Sequence, residues 1–586
     1  MFESLFSSYE KAPHAFMPFT HDWSDSKELV EKGNKALESP WPTLAATDYM
    51  DFTRTGNRVR FEKKYFGRRH LLNDLVLAEL SQNQGKFIDA ITNGIWSICE
   101  ESGWQLPSHN SHVRDAPQLS LPDTQDPVLD LFACETGAQL ALINSLLENK
   151  LESRLVKRLL WEINHRIINP YLTKHFWWMG SGDEPMMNWT PWCTQNVLIC
   201  AAVTPQSDDA RFQICKQAAY SLDCFLKGYG EDGCCDEGAK YYGHAALCLF
   251  VSMEILNGMT ADHFAPLYNE PKIRNIADFI RQMHVTNDYY INFADCPALL
   301  DHPGVLAYLF GKRTANPDLM TFATAKYEDI SNDLSLYTRL ATIINSYEIK
   351  NHQAVTNPPK DIYFPSVGLM VARDERFCLA VKAGDNADNH NHNDVGSFTL
   401  YVDNKPFIID VGVGTYTKDT FSSRRYDIWT MQSAYHNLPT FGGIMQEPGE
   451  EYNATDVKFM TDDNETSLSM DIASAYPQEA NVKLYSRKIS HEKGRGVILQ
   501  DEYQGKHPAI LSLMLETKPE IKDQLVSIKG RGQIHCDGAT DIAVEHIPIN
   551  DPLLQKVWAD SLYRVLITFT DKLFIRMCAN EKNIMA

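Results

Sequence analysis

The chain has 586 residues, and 76 Asp and Glu against 55 Lys and Arg leave a formal charge of −21 at pH 7. That length exceeds what one compact core normally serves, so two or three domains are expected. With 44% hydrophobic and 22% charged residues, disordered and collagen-like classes are excluded. The acidic balance argues against nucleic acid or an anionic membrane surface as partner, so an anionic ligand must be met locally. Apolar runs such as 245-AALCLFVSM-253 stop at Glu254, short of the ~20 residues a membrane span needs. The opening MFESLFSSYEKAPHAF lacks the basic start and long apolar stretch of a secretory signal. A cytoplasmic protein is therefore expected, or a periplasmic or secreted one if a leader has been removed. The 13 cysteines form no CxxC pair, which favours small buried side chains over a disulfide framework or a zinc ribbon.

Up to about residue 350 the apolar positions repeat with a helical period. In 127-PVLDLFACETGAQLALINSLLENK-150, Asp126 is placed to cap, Pro127 suits a first turn, and Leu129, Phe132, Leu140, Ile143 and Leu147 share a face. The next helix, 151–170, carries Val156, Leu159, Ile163 and Ile167 on one stripe and is expected to stop at Pro170. Similar pairs are read at 71–104, 193–227, 240–257 and 272–284, which suggests a layer or ring of paired helices. Asn and Pro accumulate in 351-NHQAVTNPPKDIYFPS-366, and beyond it the period shifts from 3.6 towards 2. Val367, Leu369 and Val371 alternate, 373-RDER-376 turns, and Phe377, Leu379 and Val381 alternate back. A second hairpin turns at Asp403-Asn404. The expected organisation is a helical domain over 1–355 and a mostly antiparallel β-sandwich over 356–586.

The densest polar cluster is 385-DNADNHNHNDVGSF-398. In an extended segment, His390 and His392 point the same way, as two ligands of one ion need; in a loop mouth, one ring serves as base and the other as ligand. Asp410 closes the return strand of the second hairpin, and 433-SAYHNLP-439 supplies His436. Two imidazoles and a carboxylate make a plausible divalent-metal site. Among the helices, 231-EDGCCDEGAKYYGHAAL-247 places Glu237 and Tyr241 four residues apart, as on one helix face. In 175-HFWWMGSGDEPMMNWTPWCTQN-196, tryptophans surround carboxylate and amide groups and lead to Asn188-Trp189. Aromatic faces beside hydrogen-bonding side chains suit sugars, whose apolar faces stack while their hydroxyls bond.

Together these segments resemble the heparinase II/III family of polysaccharide lyases. The resemblance is carried by E-G-x-x-Y (Glu237 to Tyr241), Asn188-Trp189, H-x-H-x-D-x-x-S-F (His390 to Phe398), D-x-G-x-G-x-Y (Asp410 to Tyr416), an Arg-containing stretch and A-x-H-N (Ala434 to Asn437). It implies an incomplete (α/α) toroid of helical hairpins joined to an antiparallel β-sandwich, with a cleft between them. It further implies cleavage of a uronic-acid glycan, such as heparan sulfate, hyaluronan or chondroitin, by β-elimination to a 4,5-unsaturated uronate. Asn188 then neutralises the uronate carboxylate, Tyr241 is the catalytic tyrosine and His390 the histidine of the cleft. His392, Asp410 and His436 look like ligands of a structural metal, usually zinc, with no organic cofactor. His109, Trp189, Glu237, Tyr416, Arg424 and Arg425 are candidate substrate contacts. Trp189 stands where some relatives carry a second histidine, which leaves the proton work to Tyr241 and His390. The expected partner is an anionic oligo- or polysaccharide, and an oligomer is left open.

Three other readings stand beside this one. His390-x-His392-x-Asp394 opens like the metallo-β-lactamase signature, but Val395 occupies the place of its next histidine. A glycoside hydrolase would need paired carboxylates, for which Asp183, Glu184, Asp236 and Glu237 are available. A glycan-binding protein could keep the fold without the chemistry. Basic residues in 58-RVRFEKKYFGRRH-70 offer either a patch for a polyanion or a solvated helix face.

Overall fold

A computed structural model describes residues 1–19, 26–114, 116–182, 184, 186–301, 304–354 and 357–580. The chain forms two compact units, Met1–Gly228 with Gly243–Ala277 and His302–Thr356, and Tyr229–Tyr242 with Asp278–Asp301 and Asn357–Ala586. The first is helical and the second is built of antiparallel sheets, as the change of period implied. Two short stretches of the helix-rich half, 229–242 and 278–301, thus fold with the sheets. The expected boundary at 355/356 and the candidate Asp183 lie outside the described residues.

In the helical unit, the helices Leu131–Leu147, Trp189–Val203 and Ala246–Met259 are buried almost all round and pack side by side. Ser153–Ile163 and Asp208–Gly228 lie against them and keep an exposed face. An inner layer apolar on every side and an outer amphipathic layer are the two kinds of helix that a paired (α/α) arrangement requires. The helix expected at 127 begins at Leu131, because buried Asp130 caps it by accepting from the Ala133 amide at 2.7 Å. Pro170 does not end the next helix. A π-turn over Asn164–Ile168 precedes it and the helix runs on to Thr173, since the wider turn accommodates a residue with no N–H to donate. The basic segment 58–70 is neutralised within the unit: Arg58 pairs with Glu62, Arg60 with Asp51, Lys64 with Asp48, and Arg68 and Arg69 with Glu101. No described helix is long and apolar enough to cross a membrane.

In the second unit the strands Leu369–Arg373, Phe377–Lys382, Phe398–Val402 and Lys405–Ile408 are neighbours in one antiparallel sheet, with the register both hairpins implied. Asp403 and Asn404 take φ of 47° and 62°, the left-handed pair that a tight hairpin turn needs. Phe377–Lys382 and Phe398–Val402 are buried on both faces. Leu379, Val381 and Leu400 of this sheet meet Leu468, Leu499 and Ile575 of a second and Leu511, Leu513 and Ile567 of a third in one apolar core. That stacking holds the loops at the strand ends, where the polar motifs lie.

Candidate functional site

The sheet unit gathers most of the candidate residues. Residues 387–397 form a loop between the short strand Asp385–Asn386 and the strand Phe398–Val402, not an extended segment. Buried Lys382 anchors the loop between Asp388 and Asp394, each at 2.9 Å. His390 takes φ of 58°, and its ring and that of His392 both reach Asp295, through Nδ1 at 2.8 Å and Nε2 at 3.1 Å. Of the two, only His392 joins Asp410 and His436 in a group able to hold a metal ion.

His390 stacks on Tyr241 at a centroid distance of 4.4 Å, with the phenol oxygen 3.5 Å from Nδ1. Its Nδ1 lies 2.8 Å from Asp295 and its Nε2 3.3 Å from Glu237. Burial by itself pulls the imidazole down, but these two carboxylates outweigh it and raise the ring to about 9. Both ring nitrogens thus face carboxylates, an arrangement that favours the protonated ring. The Tyr241 hydroxyl is 3.0 Å from that of Tyr416, which donates to Asp295 at 3.1 Å. Burial pushes both phenols well above their usual range, so both are protonated. Lys240 sets its ammonium 5.0 Å over the Tyr416 ring and 5.7 Å over that of Tyr241. Exposed Phe421 lies edge-on to Tyr416 and His390, an apolar face beside the polar group.

Glu237 and Tyr241 do not share a helix face. Glu237 sits in a turn, Gly238 has φ of 86°, and Tyr241 lies in a short 3-10 segment. A Cβ on Gly238 would fall 2.6 Å from the Phe293 carbonyl oxygen, so glycine is needed to bring Tyr241 against the segment that carries Asp295. Gly412 plays the matching part near Asp410, with φ of 75° and the Cys296 carbonyl 2.6 Å from where its Cβ would be. Arg425 is engaged inside the protein, donating to Asp295 at 2.7 Å and to the Asn391 and Thr420 carbonyls. Arg424 is exposed and pairs with Asp419.

Sequence reading missed Asp295, which meets His390, His392, Tyr416 and Arg425. The available signal was one acid within the apolar stretch 289-YYINFADCPALL-300, where a buried charge has to be compensated.

His392, Asp410 and His436 are fully buried, and one donor atom from each lies within 4.8 Å of the others. The residues fit a zinc ion. Among the described residues, His392 Nδ1 and His436 Nε2 have no hydrogen-bond partner, a costly state for buried nitrogens that a cation relieves. The opposite nitrogen of His392 is held by Asp295 at 3.1 Å, the support that metal-binding imidazoles usually have, while His436 Nδ1 bonds Asp410, itself a member of the trio, at 2.8 Å.

The other candidates belong to the helical unit. Asn188 is buried and precedes the helix Trp189–Val203 without capping it through its side chain. Trp189 packs on His109 at 4.7 Å and on Trp177 at 5.0 Å, and Asp130 orients His109 by accepting from Nδ1 at 2.8 Å. Trp192 lies flat on His244 at 4.1 Å and donates to Glu135 at 3.0 Å. Burial, and then Asp333, raise Glu135 to about 8. The folded state therefore holds a proton that the unfolded chain releases near the ordinary carboxyl value, and folding stability falls as pH rises from about 4.5 to 8. Glu135→Gln is expected to flatten the decline in melting temperature over that window, while an equally steep decline in the variant would assign it elsewhere.

Residues 356–544 match the family model described as heparinase II/III-like, C-terminal. Similar folds include a heparinase III at 13% identity, covering all of this chain and 89% of the other with a TM-score of 0.66. The heparan sulfate lyase HepC from Pedobacter heparinus is 14% identical over 99% of this chain and 87% of its own, with a TM-score of 0.62. A Streptomyces coelicolor chondroitin AC lyase is 9% identical over 99% and 82%, with a TM-score of 0.52. At these identities the likeness is one of fold, an (α/α) toroid with an antiparallel β-sandwich. No curated protein matches the chain.

Proposed function

We propose, for a chain whose residues 356–544 are heparinase II/III-like, that it is a polysaccharide lyase cleaving uronic-acid glycans by β-elimination. The observation that carries this reading is the Tyr241 phenol, stacked on the buried His390 ring and bonded to a second phenol, beside a loop that also supplies His392 of the His392, Asp410 and His436 trio. Elimination across C4 and C5 removes a carbon-bound proton next to a carboxylate. It becomes feasible when the charge that builds on that carboxylate is stabilised by fixed donors. The motif resemblance gives Asn188 this role.

The states of the two rings refine the division of labour. With both nitrogens facing carboxylates, His390 already holds its protons and does not serve as base. It supplies positive charge beside the Tyr241 oxygen; Tyr241 gives its hydroxyl proton to the departing glycosidic oxygen as the C4–O bond breaks, and the phenolate so formed takes the C5 proton, which restores the phenol and leaves the C4–C5 double bond, with Tyr416 as its hydrogen-bond partner. Zinc bound by His392, Asp410 and His436 would tie the loops together as a structural ion. The substrate class is a glycosaminoglycan or another polyuronate.

Incubating the protein with a panel of such glycans while following ultraviolet absorbance tests the reading. A conjugated unsaturated uronate is expected. New reducing ends without absorbance would instead identify a hydrolase, and binding without either would identify a lectin-like protein. On the best substrate, Asn188→Ala is expected to lose about 100- to 1,000-fold in kcat, the usual effect of removing one preorganised donor. Unchanged turnover would take the carboxylate role from Asn188.

A further inference from the structure

We infer that Asp295 is a positioning residue that fixes the rings of His390 and His392 together, so that the zinc cluster and the proton-handling group share one buried carboxylate. The inference rests on the lyase reading of Tyr241 and His390. Asp295 is fully buried. Its Oδ2 lies 2.8 Å from His390 Nδ1 and accepts from the Tyr416 hydroxyl at 3.1 Å. Its Oδ1 lies 3.1 Å from His392 Nε2 and accepts from Arg425 Nη2 at 2.7 Å. A carboxylate has about four acceptor directions, and here each is committed.

Both rings project from a loop without regular backbone pairing, with His390 in a left-handed conformation, so that loop does not by itself select the ring rotamers. Asp295 does so from a different part of the chain. Its own backbone is pinned: Ala294 has φ of 62°, the Cys296 amide donates to the Ala294 carbonyl at 2.7 Å, and the Cys296 carbonyl abuts Gly412. A carboxylate that accepts from one nitrogen of an imidazole sets which way the other nitrogen faces. Here Asp295 takes Nε2 of His392 and so leaves Nδ1, which has no hydrogen-bond partner among the described residues, as the nitrogen for the trio with Asp410 and His436, and it leaves His390 Nε2 to Glu237. A residue that merely filled space would change the amount of folded protein and nothing else.

Asp295→Asn keeps the volume and removes one acceptor oxygen. In the purified full chain, zinc affinity measured by competition with a chromophoric chelator is expected to weaken about 10- to 100-fold. On the best glycan, kcat per folded molecule is expected to fall at least about 100-fold with KM within threefold. Wild-type zinc affinity and kcat in a folded variant would overturn the inference, as would losses that only track the fraction unfolded by circular dichroism. Should Asp295→Asn not fold, Arg425→Met removes one donor from Oδ1 and is expected to shift both readouts in the same direction by less. Wild-type values there would equally overturn it. If the unaltered chain eliminates from no polyuronate, the lyase reading fails, and the zinc competition alone decides whether Asp295 braces the cluster.

Discussion

Tyr241→Phe is expected to lower kcat on the best glycan by about 10²- to 10⁴-fold, the usual worth of a positioned acid or base, with KM and melting temperature close to wild type. The variant removes one oxygen and keeps the ring, so the 4.4 Å stack on His390 is retained. Tyr416 loses a partner but still donates to Asp295. The change therefore isolates the proton-transfer atom. His390→Ala should be as damaging for a different reason: it removes the ring beside the phenol that bridges Asp295 and Glu237, while Arg425 and His392 still meet Asp295. Stability should fall along with turnover. Near-normal turnover in both variants would remove the assignment of this site. A large loss in His390→Ala alone would move the proton step from the phenol to the imidazole.

With zinc held by the trio as proposed, chelation is expected to lower thermal stability before it alters chemistry. Zinc at a thousandfold its dissociation constant stabilises the folded state by about 4 kcal/mol. For a unit of this size that is roughly 10 °C of melting temperature. The loss arises because the orphaned nitrogens of His392 and His436 are buried among loops that no strand pairing holds. Chelator-treated protein assayed well below its lowered melting temperature should retain most of its turnover, and added zinc should restore the melting temperature. His436→Ala should mimic the chelator and be insensitive to it. Complete loss of turnover with an unchanged melting temperature would show instead that the ion takes part in the reaction.

The two hypotheses lean on different parts of the sequence signal. The strands around 373–376 and 403–404 were legible because a period of two and a left-handed Asp-Asn turn are local properties. His392, Asp410 and His436 were singled out by their chemistry as possible ligands, and the structure brings them together from separate segments. Local periodicity misled at Glu237 and Tyr241, where a spacing of four suggested a helix. The carbonyl of Phe293, which lies over Gly238, could not be known from within that segment. The same limit applies to the basic run at 58–70, whose carboxylate partners include Asp48, Asp51 and Glu101.

By itself the sequence determined the fold class, the order of helices before sheets, and the side chains able to bind metal or move a proton, because periodicity and residue chemistry are carried by neighbours along the chain. Only the tertiary structure decided that residues 229–242 and 278–301 fold with the sheets, that Arg425 turns inward, and that Asp295 holds both histidines. Those outcomes depend on which distant groups end up sharing a buried, weakly screened space. There a carboxylate must find its donors, whatever their separation in sequence.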